Sequence, residues 1–384
     1  MNLLEYQGKR LLAARGINVP RGQVAHTAEE AGKVAAELGV PVVVKAQVRS
    51  GKRGKAGGVL PADTPSGARE AAERILGMEI GGHRVEAVLV EERLSIAREL
   101  YAGITISPRD RAAVLMFSCH GGMDVEEVAA RSPQAIVSLA VDGVKPVWRH
   151  HILDLVKRAG LGGEVLGQVA DAVARLVRAF LELDATTAEV NPLVVTAEGP
   201  VVAADAKLVI DDAALFRHPE LARESAPVAD PLEAMARQAR LAYVPLPGGN
   251  VGVIAGGAGL ALATMDTVFA LGARPANFLD VGGGVSQEGM AAALRVVART
   301  PGVEGIVINV FGGINNCEVM ARGIAQVLDE DGLSVPLVVK MRGHSQEEGW
   351  AILAERGVEV VKYGTTGEAV ARLLELMKKN GERA

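Results

Sequence analysis

The sequence predicts an α/β protein in two parts, a mixed α+β first half followed by a second half built on a doubly wound parallel sheet. The second half has the clearer pattern, because short β-branched runs alternate five times with amphipathic segments from about residue 240. The first half combines adjacent strand-like runs with long amphipathic segments, as α+β domains do. A chain of 384 residues accommodates two or three domains of roughly 150 residues. We place the domains at 1–239 and 240–384.

The first half opens with two amphipathic segments, which we predict to be helices over 5–14 and 28–38. The run Val40-Pro41-Val42-Val43-Val44 predicts a buried strand, because it is short and rich in β-branched residues. Further strands are predicted at 85–91, 100–107, 112–118, 187–196 and 201–205, and long helices at 151–159 and 164–183.

The second half consists of five predicted strand–helix units. The strands are expected at 251–255, 276–280, 305–310, 336–340 and 358–361. The helices that follow them are expected at 260–271, 287–299, 318–328, 346–355 and 366–379. Ligands of such sheets bind beyond the carboxyl ends of the strands. Residues 217–231, which contain charges and three prolines, form the predicted linker between the halves.

Composition argues against several classes of protein. Aromatic residues make up only 3% of the chain, which disfavours nucleic-acid binders that stack bases on aromatic side chains. A net charge of −5 provides no basic field for DNA or for an anionic membrane. Two cysteines without a CxxC pair, and an N-terminus without a signal-peptide pattern, are typical of a cytoplasmic protein. The uncharged run 244–265 has the length of a membrane span, but its two prolines and six glycines argue against a continuous helix.

A basic, glycine-containing loop follows the first predicted strand. Gly51 and Gly54 allow the backbone to approach an anion closely, so that its N–H groups can hold phosphate oxygens. The spacing is not that of a GxxxxGK[ST] loop. The alternative is a solvated basic loop, but polyphosphate binding is favoured because a charge on an apolar strand needs a partner. Five cations lie within eleven residues here: Lys45, Arg49, Lys52, Arg53 and Lys55.

A second pattern places hard oxygen ligands on a predicted hairpin. Glu189 and Asn191 project from the same face of one strand, because side chains alternate along a strand. Asp205, on the neighbouring strand, is expected to face them. Carboxylate and amide oxygens suit Mg²⁺ that is bound together with nucleotide phosphates. The alternative is a surface hairpin with its polar residues outward.

Glycine clusters follow three consecutive strands of the second half, at 256–259, 282–284 and 312–313. A single cluster is usually a tight strand-to-helix turn, but three at successive strand ends form a common rim. The first cluster opens directly into a helix, whose free N–H groups and dipole can hold an anion. The rim therefore suits a carboxylate or a phosphoryl group, and it lacks the spacing of a dinucleotide-binding fingerprint.

The sequence supplies no obvious covalent catalyst. It has no GxSxG motif, and of its seven histidines only His344 falls near the glycine rim. Cys317 begins a predicted helix, where the pKa of a thiol can be lowered, but a small residue at a helix start is the simpler interpretation. The chain is therefore expected to bind reactants without a nucleophile of its own.

Five motifs resemble, in order along the chain, those of the β subunits of succinyl-CoA synthetase, or succinate–CoA ligase. The motifs are Met1-Asn2-Leu3-Leu4-Glu5-Tyr6-Gln7, residues 51–58, Glu189-Val190-Asn191-Pro192-Leu193, PANFLDVGGG at 275–284 and NVFGGI at 309–314. The resemblance covers the whole chain and implies a two-lobed ATP-grasp nucleotide-binding domain followed by a flavodoxin-like CoA-ligase domain. It also implies a cytoplasmic ligase of the tricarboxylic acid cycle, which converts succinate, ATP and CoA reversibly into succinyl-CoA, ADP and phosphate.

The resemblance further implies a partner and a set of site residues. An α subunit, in an αβ or α2β2 assembly, would bind CoA and carry a histidine that is phosphorylated in transit, which would account for the missing nucleophile. Nucleotide-binding residues of this chain would be Lys45, Lys52, Arg53, Gly54, Glu91, Leu94 and Glu99. Mg²⁺ would be held by Asn191 and Asp205. The acid would be bound by Gly256, Gly313, Ile314 and Asn315.

The chain departs from the family pattern at several positions. Lys52 replaces a loop glycine, Ala206 replaces a glycine beside Asp205, Gly256 replaces an asparagine, and Asn315-Asn316 replace valine-arginine. Two of these changes touch the acid site, so the same machinery acting on another acid, such as malate, is the first alternative. A stand-alone ATP-grasp carboxylate–amine ligase and a binding subunit with a decayed acid site are the others. Pro20, where GTP-specific members tend to carry glutamine, favours ATP, with GTP as the alternative.

Overall fold

The computed structural model describes residues 1–51, 53–123, 125–143, 147–224 and 230–381. The chain divides into two compact units, Met1–Ser225 and Ala226–Ala384. A helix over Pro231–Gln238 packs against elements of the second unit, although it lies on the N-terminal side of the expected boundary at 239/240. That boundary stays a prediction. The expected linker, 217–231, contains a short helix over Pro219–Arg223.

A four-stranded antiparallel sheet covered by two helices forms the N-terminal part of the first unit. In chain order, residues 1–92 form α1 (Glu5–Ala13), which packs with the core of the larger sheet described next, then β1 (Gly22–Ala25), α2 (Ala28–Leu38), β2 (Val42–Ala46), β3 (Val59–Ala62), α3 (Pro65–Ile75), β4 (Glu79–Ile80), β5 (His83–Arg84) and β6 (Val88–Glu92). The strand order is β1-β6-β2-β3, and β4 pairs only with β5. Thr27 and Thr64 cap α2 and α3, whose alanine-rich faces pack on the sheet.

A larger antiparallel sheet forms the rest of the first unit, and α5 and α6 contribute to its core. The elements are β7 (Ile96–Ser107), β8 (Ala112–Ser118), α4 (Val125–Arg131), β9 (Ile136–Val141), α5 (Arg149–Arg158), α6 (Val165–Glu182), β10 (Ala185–Thr196), β11 (Val201–Ala203), β12 (Lys207–Ile210) and α7 (Pro219–Arg223), with 3₁₀ turns at Pro133–Ala135 and Asp212–Arg217. The order is β11-β10-β7-β8-β9, and β12 also pairs with β10. The strand expected over 201–205 therefore ends early and resumes at Lys207, which leaves residues 204–206 as a break opposite β10.

The second unit is a six-stranded sheet with helices on both faces. Its elements are α8 (Pro231–Gln238), β13 (Ala242–Pro245), β14 (Val251–Ala255), α9 (Ala258–Ala270), β15 (Asn277–Asp280), α10 (Gln287–Ala298), β16 (Gly305–Gly312), α11 (Cys317–Glu330), β17 (Leu337–Gly343), α12 (Gln346–Ala354), β18 (Glu359–Val360) and α13 (Thr366–Gly381). Helices α9 and α13 pack on one face of the sheet, and α8, α10, α11 and α12 pack on the other. All five predicted strand–helix units are present.

The sheet order decides where a ligand can bind. The order is β13-β15-β14-β16-β17-β18, with the last five strands parallel and β13 antiparallel at the edge. The five parallel strands thus follow the flavodoxin-like order 2-1-3-4-5, and the order reverses between β14 and β16. The sequence did not predict β13, because it is a four-residue edge strand that ends at Pro245.

The uncharged run 244–265 does not form one continuous helix. It is divided among the end of β13, all of β14 and the first part of α9, so the prediction that it is not one continuous helix is confirmed, although β13 was not predicted. Across the described residues, the helices lack the combination of length and apolarity needed to cross a membrane.

Candidate active site

Lys45 is paired within the chain. It lies on β2, where Val42, Val44 and Ala46 point into the core and Lys45 points to the opposite face. Its Nζ lies 2.5 Å from Glu91 Oε1 and 3.2 Å from Glu5 Oε1, and it donates a 2.7 Å hydrogen bond to the carbonyl of Ala204. The sequence predicted that the Lys45 charge needs a partner. In the structure the partners are two carboxylates of the chain itself, Glu91 on β6 and Glu5 on α1.

Arg53 is the second buried cation of the loop. Its Nη1 lies 2.5 Å from Glu5 Oε2, and its Nη2 lies 2.8 and 2.9 Å from the two carboxylate oxygens of Asp205. The side chain is 10% exposed, whereas that of Asp205 is 36% exposed, so the pair is reachable from solvent on the Asp205 side. Gly54, next in the loop, is exposed, and a Cβ there would meet nothing within 4 Å.

The other loop cations that the structure describes, Arg49 and Lys55, make different contacts. Lys55 is a surface residue paired with Glu127 at 2.7 Å. The predicted nucleotide-binding residue Lys52 lies outside the described residues. Arg49 contributes its backbone carbonyl, which accepts a 2.7 Å hydrogen bond from Asn2. Within the described loop, therefore, Lys45 and Arg53 are the cations that share a carboxylate partner.

One further residue, Lys9, completes what we call the buried charge cluster, which consists of Glu5, Lys9, Lys45, Arg53 and Glu91. The Nζ of Lys9 lies 2.8 Å from Glu5 Oε1 and 2.6 Å from Glu91 Oε2. The sequence analysis did not single out Glu5 or Lys9. Their i, i+4 spacing on α1 does indicate an ion pair, but such pairs usually lie at the surface, and nothing in the spacing shows that this one is buried.

The charges of the cluster stabilise one another. Burial by itself would raise the pKa of the Glu5 carboxyl, but Lys45, Lys9 and Arg53 outweigh it and hold that pKa well below its usual range. Burial likewise works to lower the pKa of the Lys45 ammonium, and Glu5, Glu91 and Asp205 raise it instead. All three cations therefore face carboxylates, and adding Asp205 gives three positive and three negative side chains.

The remaining predicted nucleotide residues lie on or after β6. Glu91 is only 3% exposed and both of its oxygens face lysines, so a direct contact of this carboxylate with a nucleotide stays a prediction. Leu94 is half-buried between β6 and β7, and Glu99 is exposed on β7. A Cβ added to Gly122 would lie 2.5 Å from Glu99 Oε2, so the Glu99 side chain lies against the loop that precedes α4.

Asn191 and Asp205 lie opposite one another. Strand β10 pairs Glu189 with Lys207 and Leu193 with Ala203, and counting inward from both pairs brings Asn191 opposite Asp205 at the break in the partner strand. Asn191 Oδ1 accepts a 2.8 Å hydrogen bond from the N–H of Gly122. An amide oxygen and a carboxylate fit Mg²⁺, which takes few protein ligands and completes its shell with phosphate and water oxygens. The described residues contain no group of three or more His, Cys, Asp or Glu side chains placed to hold a metal ion.

In the second unit, the glycine rim lies at the point where the strand order reverses. The turns after β14 and β16, at 256–257 and 312–316, flank the crevice where ligands of open α/β sheets bind. Asp280 Oδ1 accepts hydrogen bonds from Gly257 at 2.7 Å and Gly282 at 2.8 Å, and it thereby ties the first two glycine clusters together. The N–H of Gly257 is therefore not free for an anion. The N–H groups of the first turn of α9 have no intrahelical partner by geometry and can still face one.

Asn315 joins the third glycine cluster to the second. Its side-chain oxygen accepts hydrogen bonds from the N–H groups of Gly284 and Val285, the latter at 2.9 Å, and its Nδ2 donates to the carbonyl of Gly282 at 2.9 Å. Asn315 is 5% exposed. Its side chain is thus engaged with the loop, and the predicted contact of this residue with an acid stays a prediction.

Gly256 lies next to the Asn315 amide. A Cβ added to Gly256 would come 3.5 Å from Asn315 Nδ2, an ordinary van der Waals distance. Gly313 and Ile314 form the outer part of the third turn, where the Ile314 side chain is 85% exposed. The predicted acid-binding residues of the second unit are therefore brought together at one end of the sheet.

The structure provides no activated thiol at this rim. Cys317 begins α11 and is fully buried, and burial raises the pKa of its thiol. A small residue at a helix start is therefore the better description. His344 does lie beside the rim, because its backbone N–H donates to the carbonyl of Gly312 at 2.8 Å, and its side chain is exposed.

Comparisons with known proteins identify the two domains and the family. A family model described as an ATP-grasp domain matches residues 2–195, and one described as CoA-ligase matches residues 254–374. The chain is 47% identical over 378 residues to the GDP-forming succinate–CoA ligase subunit beta of Thermus thermophilus, which covers 98% of this chain and 99% of that protein. It is 44% identical over 383 residues to the ADP-forming succinate–CoA ligase subunit beta of Rubrobacter xylanophilus, covering 99% of this chain and 100% of the relative.

A solved structure shares the fold over nearly the whole chain. ATP citrate lyase from Methanothrix soehngenii, in complex with citrate and coenzyme A, superimposes with a TM-score of 0.79 at 20% identity, covering 97% of this chain and 99% of that one. The fold and its site thus define an ATP-grasp protein with an appended CoA-ligase domain. Within that class, the chain belongs to the family of succinate–CoA ligase β subunits. The expected ATP-grasp and flavodoxin-like architecture is confirmed.

The depressed pKa of Glu5 predicts a pH-dependent cost of replacing it. Glu5→Gln removes one carboxylate from a buried, paired set, so it should lower the free energy of unfolding by about 3–5 kcal/mol near pH 7. A carboxyl of this kind contributes stability that is complete above its unfolded pKa of about 4.3 and is lost as the pH falls through the lower folded value. Urea unfolding should therefore show the difference from wild type shrinking below about pH 4.3.

Glu224→Gln is the matched control. Glu224 follows α7 and accepts hydrogen bonds of 2.5 and 2.7 Å from Arg10 of α1, and one of 3.3 Å from Gln7. The pair with Arg10 is exposed, and such pairs contribute about 0–1 kcal/mol. A loss of stability for Glu5→Gln as small as that of the control, or one that grows in acid, would contradict the assignment.

The role of Asn315 in holding the rim can be tested by hydrogen exchange. Asn315→Ala removes the acceptor of the Gly284 and Val285 N–H groups, so these amides should exchange about tenfold faster, as expected for the loss of roughly one hydrogen bond. Asn316→Ala is the control, because Asn316 caps α11 through Val319 and does not contact this loop. Equal exchange at residues 284 and 285 in wild type and Asn315→Ala would rule out the role.

Proposed function

We propose that the chain is the nucleotide-binding β subunit of a succinate–CoA ligase that joins succinate and CoA at the expense of ATP, giving succinyl-CoA, ADP and phosphate. The observation that carries the proposal is the identity of 44–47% to such subunits over essentially the full length of both chains. The buried cations of the first unit and the rim of the second supply the two kinds of site that this reaction needs.

In the proposed nucleotide site, Lys45 and Arg53 neutralise the phosphates, and the backbone N–H of Gly54 approaches them. Lys52, a further proposed nucleotide-binding residue, lies outside the described residues. Both cations are already positioned by carboxylates, so little reorganisation is needed when phosphate arrives. Glu91, Leu94 and Glu99 lie on or after β6, and we assign them to the base and ribose. Relatives of both the GDP-forming and the ADP-forming kind match the chain, and we propose ATP on the basis of Pro20, with GTP as the alternative.

Asn191 and Asp205 would hold Mg²⁺ in this site. When bound with nucleotide, the ion would neutralise phosphate charge and orient the transferred group. The chain contributes the amide oxygen of Asn191, which Gly122 orients, and the carboxylate of Asp205. Arg53 contacts that same carboxylate, so one side chain links the phosphate-binding cations to the proposed metal ligands.

The acid site is proposed at the end of the second-unit sheet. Gly313 and Ile314 would offer backbone N–H groups to a carboxylate, while Asn315 and Gly256 shape the turn behind them. These last two positions depart from the family pattern, so malate or another acid on the same machinery is the alternative. A phosphorylated group would meet the N-terminal end of α9, where the helix dipole favours negative charge.

The proposal requires a partner. The relatives that match over the full chain are named as beta subunits, which supports a separate partner subunit. At the described rim, the Cys317 thiol is buried and its pKa is raised, so it is poorly suited to carry a phosphoryl group. We therefore propose that an α subunit supplies the phosphorylated histidine and the CoA site, in an αβ or α2β2 assembly. The two cysteines, Cys119 and Cys317, are both free thiols, which supports a cytoplasmic location.

Reconstitution tests the function and the metal pair together. The chain mixed with a CoA-binding α subunit should phosphorylate a histidine of that subunit from ATP and form succinyl-CoA, whereas the chain alone should not turn over.

Asp205→Asn should lower kcat/KM for MgATP by about a hundredfold, because the only negatively charged group of the proposed metal pair is lost.

Asp154→Asn is the control for this substitution, since Asp154 is an exposed residue of the same unit, paired only with Arg158 of its own helix among the described contacts. Full activity of Asp205→Asn would overturn the Mg²⁺ assignment. Turnover by the chain alone would favour a carboxylate–amine ligase, and a phosphorylated partner without any thioester would indicate a decayed acid site.

The identity of the acid can be measured separately. In the reconstituted enzyme, succinate should give the highest kcat/KM of a panel that includes malate, glutarate and citrate, because the relatives that match over the full chain are succinate–CoA ligase subunits. Thioester formation is measured as the consumption of the free thiol of CoA. Succinate ranking well below another member of the panel would replace the succinate assignment while leaving the reaction class intact.

A further inference from the structure

The carboxylate of Glu5 faces both buried cations of the proposed nucleotide site. Its Oε1 lies 3.2 Å from Lys45 Nζ, and its Oε2 lies 2.5 Å from Arg53 Nη1. We propose that Glu5 is a positioning residue, whose two oxygens set the separation of Lys45 and Arg53 and thereby the place where the nucleotide phosphates are held. This inference rests on the proposed nucleotide site.

The carboxylate itself is held from several sides. Lys9 contacts Oε1 at 2.8 Å, and the Nε2 of Gln47 donates to Oε2 at 3.4 Å. The same Gln47 accepts a 3.1 Å hydrogen bond from the backbone N–H of Tyr6, the residue after Glu5. The side chain of Glu5 is 1% exposed, so water does not compete for these contacts.

The backbone that carries Glu5 is fixed to another sheet. The N–H of Leu3 donates to the carbonyl of Leu208 on β12 at 3.0 Å, and the N-terminal amino group donates to the carbonyl of Ile210 at 2.6 Å. Glu5 then begins α1 immediately after this anchored segment. The carboxylate is therefore a fixed point, and Lys45 and the loop residue Arg53 are aligned against it.

If Glu5 acted only through its charge, its removal would change the affinity for phosphate in the opposite direction. If Glu5 merely offset positive charge, removing it would leave Lys45 and Arg53 less neutralised and would tighten the binding of phosphate. If Glu5 positions them, its removal releases one contact of each cation and weakens phosphate binding. Lys45 would keep Glu91, and Arg53 would keep Asp205, so both side chains would remain paired but would no longer be aligned to one another.

The test measures the affinity of the full-length chain for ADP, ATP and adenosine by calorimetry. Glu5→Gln should weaken ADP and ATP binding about tenfold or more, which corresponds to about 1.4 kcal/mol per tenfold, and should leave adenosine binding unchanged. Glu5→Asp keeps the charge but withdraws the carboxylate by one methylene, so it should weaken both nucleotides as well. Glu224→Gln, which removes a carboxylate partner of Arg10, another residue of α1, should bind all three like wild type.

A double variant separates position from charge. Glu5→Gln combined with Lys9→Met removes one charge of each sign, so the balance of the cluster is kept while the contacts with Lys45 and Arg53 are lost. Weak ADP binding in the double variant is expected, and recovery to the wild-type affinity would overturn the proposal. If Glu5→Gln does not fold, Glu5→Asp carries the test by itself.

The other possible results distinguish failure of the positioning role of Glu5 from failure of the proposed nucleotide site. Unchanged or tighter ADP binding by Glu5→Gln or Glu5→Asp would overturn the positioning role and leave the nucleotide site in place. An equal loss for adenosine and ADP would overturn it too, because a phosphate-specific effect is required. Failure of the wild-type chain to bind ADP or ATP at all would overturn the nucleotide site itself, and the role of Glu5 with it.

Discussion

Buried charges have to be paired, and in this protein one carboxylate organises the pairing. Glu5 contacts Lys9, Lys45 and Arg53, and Glu91 and Asp205 bring the set to three cations and three carboxylates. Removing any one partner leaves an uncompensated charge in a poorly solvated place, which is why such sets resist change. This requirement holds together α1, β2 and the break between β11 and β12. These three segments surround the proposed nucleotide site.

The second unit reaches its site by topology rather than by charge. Its five parallel strands follow the order 2-1-3-4-5, so the turns after β14 and β16 face one another across a crevice. Asp280 and Asn315 then connect the three glycine turns through backbone N–H groups and a carbonyl. The glycines give the backbone room to turn, and the two polar side chains decide which N–H groups remain available to a ligand.

Much of the fold, and several candidate site residues, could be predicted because they depend on local sequence pattern. The period of the apolar residues predicted the five strand–helix units, and alternation along the strand predicted that Glu189 and Asn191 project from the same face. The charge of Lys45 on an apolar strand indicated a partner. Glu5 and Lys9 escaped prediction because an i, i+4 acid–base pair is common on exposed helices, and β13 escaped because a four-residue edge strand has too few residues to show a period.

By itself, the sequence determined the class of each half, the strand ends where glycines gather, and the residue types suited to phosphate, Mg²⁺ and carboxylate, since these follow from periodicity and side-chain chemistry. Tertiary structure alone decided which charges meet. Glu5, Lys45, Glu91 and Asp205 are separated by up to 200 positions, and only the packing of α1 and two sheets brings their side chains within hydrogen-bond distance of common partners. Similarly, only the strand order placed Asn315 against the turn after β15, because a pattern along the chain does not specify which strands become neighbours.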